Sequence, residues 1–351
     1  MQNAAFNPYI GGGNNMKNYF LLAGACILIS SCSTPDAGLP ARMTGSSSQA
    51  LLYLSCKAVS EEEIEFVFSR PVNIKSINFY PDIPVESIDN GSTVRVKLKE
   101  RAEPGKLITA DILAADEKSN TINVLVNLRT RNNRMPKIEI NELCTEYSNA
   151  AAGRKSEFIE LKMKSAGNLG GMRLVITGNS NAARKTIFEF SPVEVKNGEY
   201  AVLHLRTYDP YASKDEYGTN LSESGGVNSS PNARDFWMPG TTKLLHKTAV
   251  IYILDQDDNV LNAVMLCENP GDPWPKDYLE EAANFLFSKN AWKSKDGLTC
   301  RPSDAIPSTG TTNTRTINRN ETAVNSNSSA DWYITVTSGA TPGGVNNTRR
   351  Y

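Results

Sequence analysis

The sequence is poor in the residues that most often carry chemistry. It has two histidines, His204 and His246, and six cysteines, no two of which have the two-residue spacing of a zinc knuckle. A Cys/His metal centre is therefore not expected, and a histidine-based catalytic triad has little material. No glycine-rich phosphate loop follows a strand, and no serine sits in a Gly-x-Ser-x-Gly elbow. Neither sign of charge dominates, with 37 basic against 38 acidic side chains. A dedicated nucleic-acid binder normally shows a basic excess gathered on one face, so a nucleic-acid partner is not expected. These absences leave the usual enzyme signatures unfilled, and no cofactor is implied.

What is present begins near the amino terminus. The segment Met16 to Cys32, MKNYFLLAGACILISSC, carries one positive residue, an apolar run from Tyr19 to Ile29, and small residues before a cysteine. That is the layout of a secretory signal, and the run is too short to span a membrane. It resembles a bacterial lipoprotein signal, in which the small pair, here Ser30 and Ser31, precedes the cysteine that is lipidated. The resemblance implies residues 1–31 as signal peptide, translation starting at Met16, and Cys32 as the lipidated mature terminus. Cys26 is the competitor, but it would shorten the apolar run to about seven residues, the lower edge for a signal core, so Cys32 is favoured. Without residues 1–31, 36 basic and 38 acidic side chains remain.

Residues 32–50 are mostly Ser, Thr, Pro, Gly and Ala, a composition that cannot bury enough surface to order itself and so reads as a tether. About seven short runs of strand character follow between residues 51 and 130. Ile64, Phe66 and Phe68 share a face within Glu63–Ser69, and Val94, Val96 and Leu98 alternate with Arg95 and Lys97. Leu107–Ala114 and Ile122–Leu128 keep the same period, with Asp89-Asn90-Gly91 and Pro104-Gly105 as turns. This spacing predicts a small antiparallel β-sandwich, and the pattern resembles the immunoglobulin-like modules of bacterial envelope proteins. Arg129 to Pro136, RTRNNRMP, has no apolar period and ends in proline, which places a domain boundary there.

The second domain, 136–351, opens with two alternating runs, Lys137–Cys144 and Glu157–Met163. Ile140-Asn141-Glu142, Glu157-Phe158-Ile159-Glu160-Leu161 and Asn168-Leu169-Gly170-Gly171-Met172-Arg173-Leu174 resemble the start of a lamin tail domain. Ile317 to Asn320, Asp331-Trp332 and Ala340 to Asn346 are similar to that family's closing pattern. The resemblance implies a second immunoglobulin-like β-sandwich, of a kind found in bacteria mostly on exported proteins. The expected fold class is thus all-β, two such sandwiches in tandem, with one short helix in an insertion of the second.

Within the second domain, Glu199–Leu205 and Thr248–Met265 are strand candidates, the latter broken by a turn at Asp255 to Asn259. Two stretches, at about 207–247 and 268–300, read as insertions. The second holds a helix from Pro275 to about Ser288, where Tyr278, Leu279, Ala282, Ala283 and Leu286 form one face. Cys267 and Cys300 bracket that insertion. Two readings stay open for them: a disulfide, worth about 3–4 kcal/mol for a loop of this length, or buried thiols.

Three groups are candidates for function. Alternation puts Glu142 on the face of Ile138 and Ile140, and Glu157 on that of Ile159 and Leu161, so two carboxylates are expected close together at the loop end of a hairpin. They would need compensation from Arg154, Lys155, Arg173, backbone N–H groups or a divalent cation. Trp237, Trp274 and Trp292 lie in the insertions, where loops on a sandwich rim tend to bind; they are candidate binding residues, with burial against the sandwich as the alternative. Asp255, Asp257 and Asp258 lack the glycine and distal glutamate of an EF-hand and read as a hairpin turn. The expected protein is a non-catalytic, lipid-anchored envelope module that meets the membrane through its anchor and an unidentified protein or surface ligand through its second domain. The alternatives are a metal-dependent hydrolase using Glu142, Glu157 and Asp257, and a purely structural spacer.

Overall fold

The computed structural model describes residues 50–150, 153–178, 180, 184–271 and 273–351. The signal segment, Met16, Cys32 and the tether up to residue 49 lie outside the described residues. Two hydrophobic cores organise the rest, one on each side of the segment at 130–135.

The first core is enclosed by β1 (Tyr53–Ala58), β2 (Glu63–Tyr80), β3 (Val85–Asp89), β4 (Gly91–Leu98), β5 (Leu107–Asp116) and β6 (Thr121–Arg129). They form one antiparallel sheet in the order β3-β4-β2-β5-β6, with β1 also on β2. The first half of β2 pairs with β1 and β4, as in Phe66↔Val94, and the second half with β5, as in Phe79↔Ala110. The strand expected to stop at Ser69 therefore continues, and six strands stand where seven runs were expected. The reason lies at Arg70-Pro71, where the pairing with β4 shifts register between Val67 and Val72. Proline has no N–H for a ladder, so β2 changes partners there instead of ending. The period of two holds throughout: Ile64, Phe66, Phe68, Val94, Val96, Leu98, Ile108, Ala110 and Ile112 are buried. Each large aliphatic or aromatic side chain so buried contributes about 1.5–3 kcal/mol.

The second core is built from β7 (Ile138–Cys144), β8 (Phe158–Met163), β9 (Gly167–Asn168), β10 (Arg173–Gly178), β11 (Thr186–Glu189), β12 (Glu194–Val195) and β13 (Tyr200–His204). It continues through β14 (Ala233–Trp237), β15 (Ala249–Leu254), β16 (Val260–Cys267), α1 (Asp277–Ser288), β17 (Ile306–Pro307), β18 (Ile317–Arg319) and β19 (Trp332–Ile334). One sheet runs β11-β10-β15-β16-β17 and the other β14-β13-β8-β7-β18-β19, with β9 and β12 a separate pair. Ile159, Leu161, Ala201 and Leu203 from the second sheet share a core with Leu174, Ile176, Ile251 and Val264 from the first, so the two sheets form a sandwich. Two pairings, β13 with β14 and β16 with β17, are parallel. These are where the chain returns from its insertions.

The helix spans Asp277–Ser288 and buries Leu279, Ala282, Ala283 and Leu286. Asp277 and Glu280 in its first turn suit the positive end of the helix dipole. Among the described residues it is the one α-helix, and no helix is long and apolar enough to cross a membrane. The turn at 255–259 is held by Asp255, whose Oδ1 accepts from the N–H groups of Asp257 and Asn259, each at 2.8 Å.

A buried carboxylate and asparagine cluster as candidate functional site

The strongest departure from simple alternation lies in β7. Its pairing with β8 shifts between Ile140 and Glu142, a β-bulge that sets Glu142 opposite Glu160. One extra residue inverts the faces of everything beyond it. Ile138, Ile140 and Leu143 join the main core, while Cys144 packs with Phe158, Tyr200 and Val202 in a separate cluster. Glu142 is therefore turned from the face expected for it. Its neighbour is Glu160, not Glu157.

Glu142 and Glu160 are both fully buried, and neutral groups from the closing segment hold them. Thr341 N–H donates to Glu142 Oε2 at 3.0 Å, and Gly343 N–H to Glu160 Oε2 at 2.6 Å. Asn141 Nδ2 donates to Glu160 Oε1 at 2.8 Å and to Glu321 Oε1 at 3.0 Å. Asn346 Nδ2 returns to the backbone carbonyls of Asn141 and Arg319, at 3.1 and 2.9 Å. Glu321 accepts from Lys162 Nζ at 2.6 Å, and that ammonium also donates to the Tyr200 hydroxyl. The opening strands and a closing segment about 200 residues later are thus tied by one polar cluster.

Burial pushes the Glu142 carboxyl up to about 7, against the pull of its Thr316 and Thr341 donors. Glu160 is raised well above the carboxylate range, first by burial and then by Glu142. Glu321 is also lifted by burial, but Lys162 and Asn141 outweigh this and hold it low. The Thr316 hydroxyl lies 2.5 Å from Glu142 Oε1 and 2.8 Å from Asn318 Oδ1. It has a single proton and cannot serve both oxygens as donor. Turning the Asn318 amide, whose Nδ2 is buried without a partner, would let Asn318 donate to Thr316 and Thr316 donate to Glu142.

Glu157 sits elsewhere. Both of its oxygens accept from Arg206, Nε and Nη2 each at 3.0 Å, and the guanidinium lies 3.7 Å above the centroid of Tyr147. The expected compensators are employed otherwise: Arg173 donates to Asp258 and to the Asp255 carbonyl, and Arg154 lies over Tyr208. Asp257 is gripped by both terminal nitrogens of Arg131, at 2.8 and 2.6 Å. Glu142, Glu157 and Asp257, the three acids of the hydrolase alternative, are held by three different sets of partners.

The tryptophan expectation is corrected for two of its three residues. Trp292 is 1% exposed and donates its indole N–H to the Asp304 carbonyl; Trp237 is 7% exposed and donates to Ser224. Trp274 is partly buried and donates to the Cys300 carbonyl. All three anchor the insertions to the sandwich, because an indole gains more by burying its rings with the N–H satisfied than by standing in water. Of the two readings for Cys267 and Cys300, the structure has the reduced one. The Cys300 thiol faces the Trp292 carbonyl at 3.8 Å, and burial pushes it up to about 12.

His204, within the strand expected over Glu199–Leu205, is fully buried and stacks on Trp237 with ring centroids 3.9 Å apart. Its Nε2 lies 2.8 Å from Asp235 and its Nδ1 3.4 Å from Ser156. Sequence reasoning missed this line of three residues. Ser156, His204 and Asp235 are each 0% exposed, so the line has no face on which a substrate could rest.

An all-β protein with two cores, whose second sandwich is tied shut by buried acids and amides, defines the class. The family model TP_1001_2nd, described as a protein second domain, matches residues 136–334, and the chain belongs to that family. It is also similar to an uncharacterized protein of Treponema pallidum (strain Nichols), with 28% identity over 175 residues. That match covers 46% of this chain and 42% of the relative, so the chain spans less than half the relative's length. Among solved structures, a DUF4876 family protein from Bacteroides thetaiotaomicron VPI-5482 matches at a TM-score of 0.30 and 13% identity, over 72% of this chain and 82% of that one. The N-terminal part of the bacterial S-layer protein SbsC matches at 0.23 and 13%, over 62% and 44%.

Proposed function

We propose that this is a lipid-anchored cell-envelope protein whose second domain is a non-catalytic binding or scaffolding module of lamin-tail-like type. The observation that carries the reading is the meeting of the two motif ends: Asn141 and Glu160 from the opening pattern bond Asn346 and Gly343 from the closing one. The residues of the resemblance work as construction, holding one sheet together from both ends. Their carboxylates are engaged by protein donors, which weighs against a hydrolytic role. The anchor rests on the segment Met16–Cys32 and its resemblance to a lipoprotein signal.

The insertion after β13 presents the surface for a partner. Tyr211 is 90% exposed there while Trp237 fixes the loop beneath it. Two measurements test the proposal. Radiolabelled fatty acid should enter the wild-type protein and vanish in Cys32→Ala; persistence of label would sink the anchor. A photo-crosslinking residue at position 211 should give one discrete adduct on intact cells, and the same substitution at Leu125, in the first domain, should not. A protein lacking any adduct at 211 would refute the binding role of this loop.

A further inference from the structure

The segment 129–134 reads in the sequence as a bare boundary, yet Thr130 and Asn132 are 1% and 5% exposed. Its three arginines each find a carboxylate beyond it: Arg129 with Glu189, Arg131 with Asp257, and Arg134 with Glu194. The uncharged residues do more. Asn132 Nδ2 donates to the carbonyls of Asn168 and Gly170, both at 2.8 Å. Gln256, in the β15–β16 turn, accepts from Asn132 N–H at 2.9 Å and donates to the Thr130 carbonyl at 2.8 Å. One side-chain amide thus clasps the backbone of the segment as a neighbouring strand would.

A second contact joins the bodies directly. The Pro104-Gly105 turn meets Gly170 so closely that a Cβ on Gly105 would fall 2.1 Å from the Gly170 carbonyl carbon, and one on Gly170 would fall 2.3 Å from the Pro104 oxygen. Gly105 also has φ +68°, which an L side chain rarely adopts. Within the first domain, Arg129 Nη1 donates to the Gly105 carbonyl at 2.9 Å and holds this turn against the end of β6. Backbone-to-backbone contact of this kind is specific to one orientation, since any side chain would hold the surfaces apart.

We propose that residues 129–134, Gln256 and the Gly105–Gly170 contact form a locked elbow that fixes the first β-domain at one angle on the second. Tandem domains joined by a polar segment move against each other by default. Here the segment's backbone is hydrogen-bonded to the second domain, so bending requires the hydrogen bonds of Asn132 and Gln256 to break together. The exposed ion pairs guide the docking and contribute little to its strength. The consequence is a rigid spacer that carries the second domain's loops in a set direction.

The arginines supply the test, because trypsin cuts after each of them when the segment opens. In full-length wild-type protein, cleavage between residues 129 and 134 should be slow. In Asn132→Ala/Gln256→Ala it should rise about tenfold or more and release two stable fragments, since cleavage follows the population of the open form. All four tryptophans, at 237, 274, 292 and 332, lie in the second domain, so unchanged tryptophan emission shows that this domain is still folded. Should the double variant lose native emission, Gly105→Ala opens the elbow from the first domain and is read the same way. Wild-type protein cut at the segment as fast as a folded variant would overturn the proposal.

Discussion

The two halves of the molecule handle buried polarity in opposite ways. Between β1 and β6 the only buried charge among the described residues is Asp116; the second domain fully buries Glu142, Glu157, Glu160, His204, Glu216 and Asp235. The difference follows from how many faces of a sheet are covered. The first sheet bends round one core and leaves its other face wet, so apolar residues point in and charged ones out. The six-stranded sheet of the second domain has the main core on one face and, on the other, the cluster that includes Phe158, Tyr200 and Val202, where Glu142 and Glu160 meet the closing segment. Strands covered on both faces cannot send their polar residues to water, and each must find a partner inside.

The comparison is most sharply tested at Arg206. Arg206→Ala leaves Glu157 as an unpaired buried charge, and the second domain should lose about 3–5 kcal/mol, read by tryptophan fluorescence in urea. A loss below about 1 kcal/mol would mean that the buried pair is dispensable and the contrast superficial. Next in size is Glu142. Its folded carboxyl titrates near 7, above the ordinary value of 4.5, so the stability its neutral form contributes is full below about pH 4.5 and is lost as pH rises through 7. Glu142→Gln cannot ionise. At pH 8 it should unfold with about 2–4 kcal/mol more stability than wild type, and at pH 4.5 with nearly the same; equal stabilities at both pH values would show that Glu142 is not neutral in the fold. The smallest effect belongs to the first domain's wet face. Leu125, 73% exposed on β6, should tolerate Leu125→Ser within about 0.5 kcal/mol by circular-dichroism melting. A larger loss would mean that this face is covered too.

The same contrast governs how much could be read in advance. In the first domain the faces of β2, β4, β5 and β6 followed from the period of two, and only the passage through Pro71 was missed. The helix and the hairpin around Asp255 were legible for similar reasons, since amphipathic spacing and turn residues act over a few positions. In the candidate site, the pattern marks Glu142 as a carboxylate needing compensation, but the structure gives it the other face and Glu160 as its neighbour. A bulge at Asn141 leaves no mark in the pattern until the pairing with β8 is known. Strict alternation gives Glu160 no reason to be buried, and Arg206 lies 49 residues from Glu157, too far for a local pattern to pair them. The aromatic residues of the insertions were split between two readings, and their indole partners decided the matter.

By itself the chain determined its all-β character, the apolar stripe of nearly every long strand, the site of the helix and the scarcity of catalytic residue types, all of which depend on neighbours within a turn or a few strand positions. Tertiary structure alone decided which carboxylates meet, which cations they find, and that the segment at 129–134 is a docked elbow and not a loose joint. Those outcomes rest on register and on contacts between residues up to about 200 positions apart. A single inserted residue can reverse them without altering the local pattern.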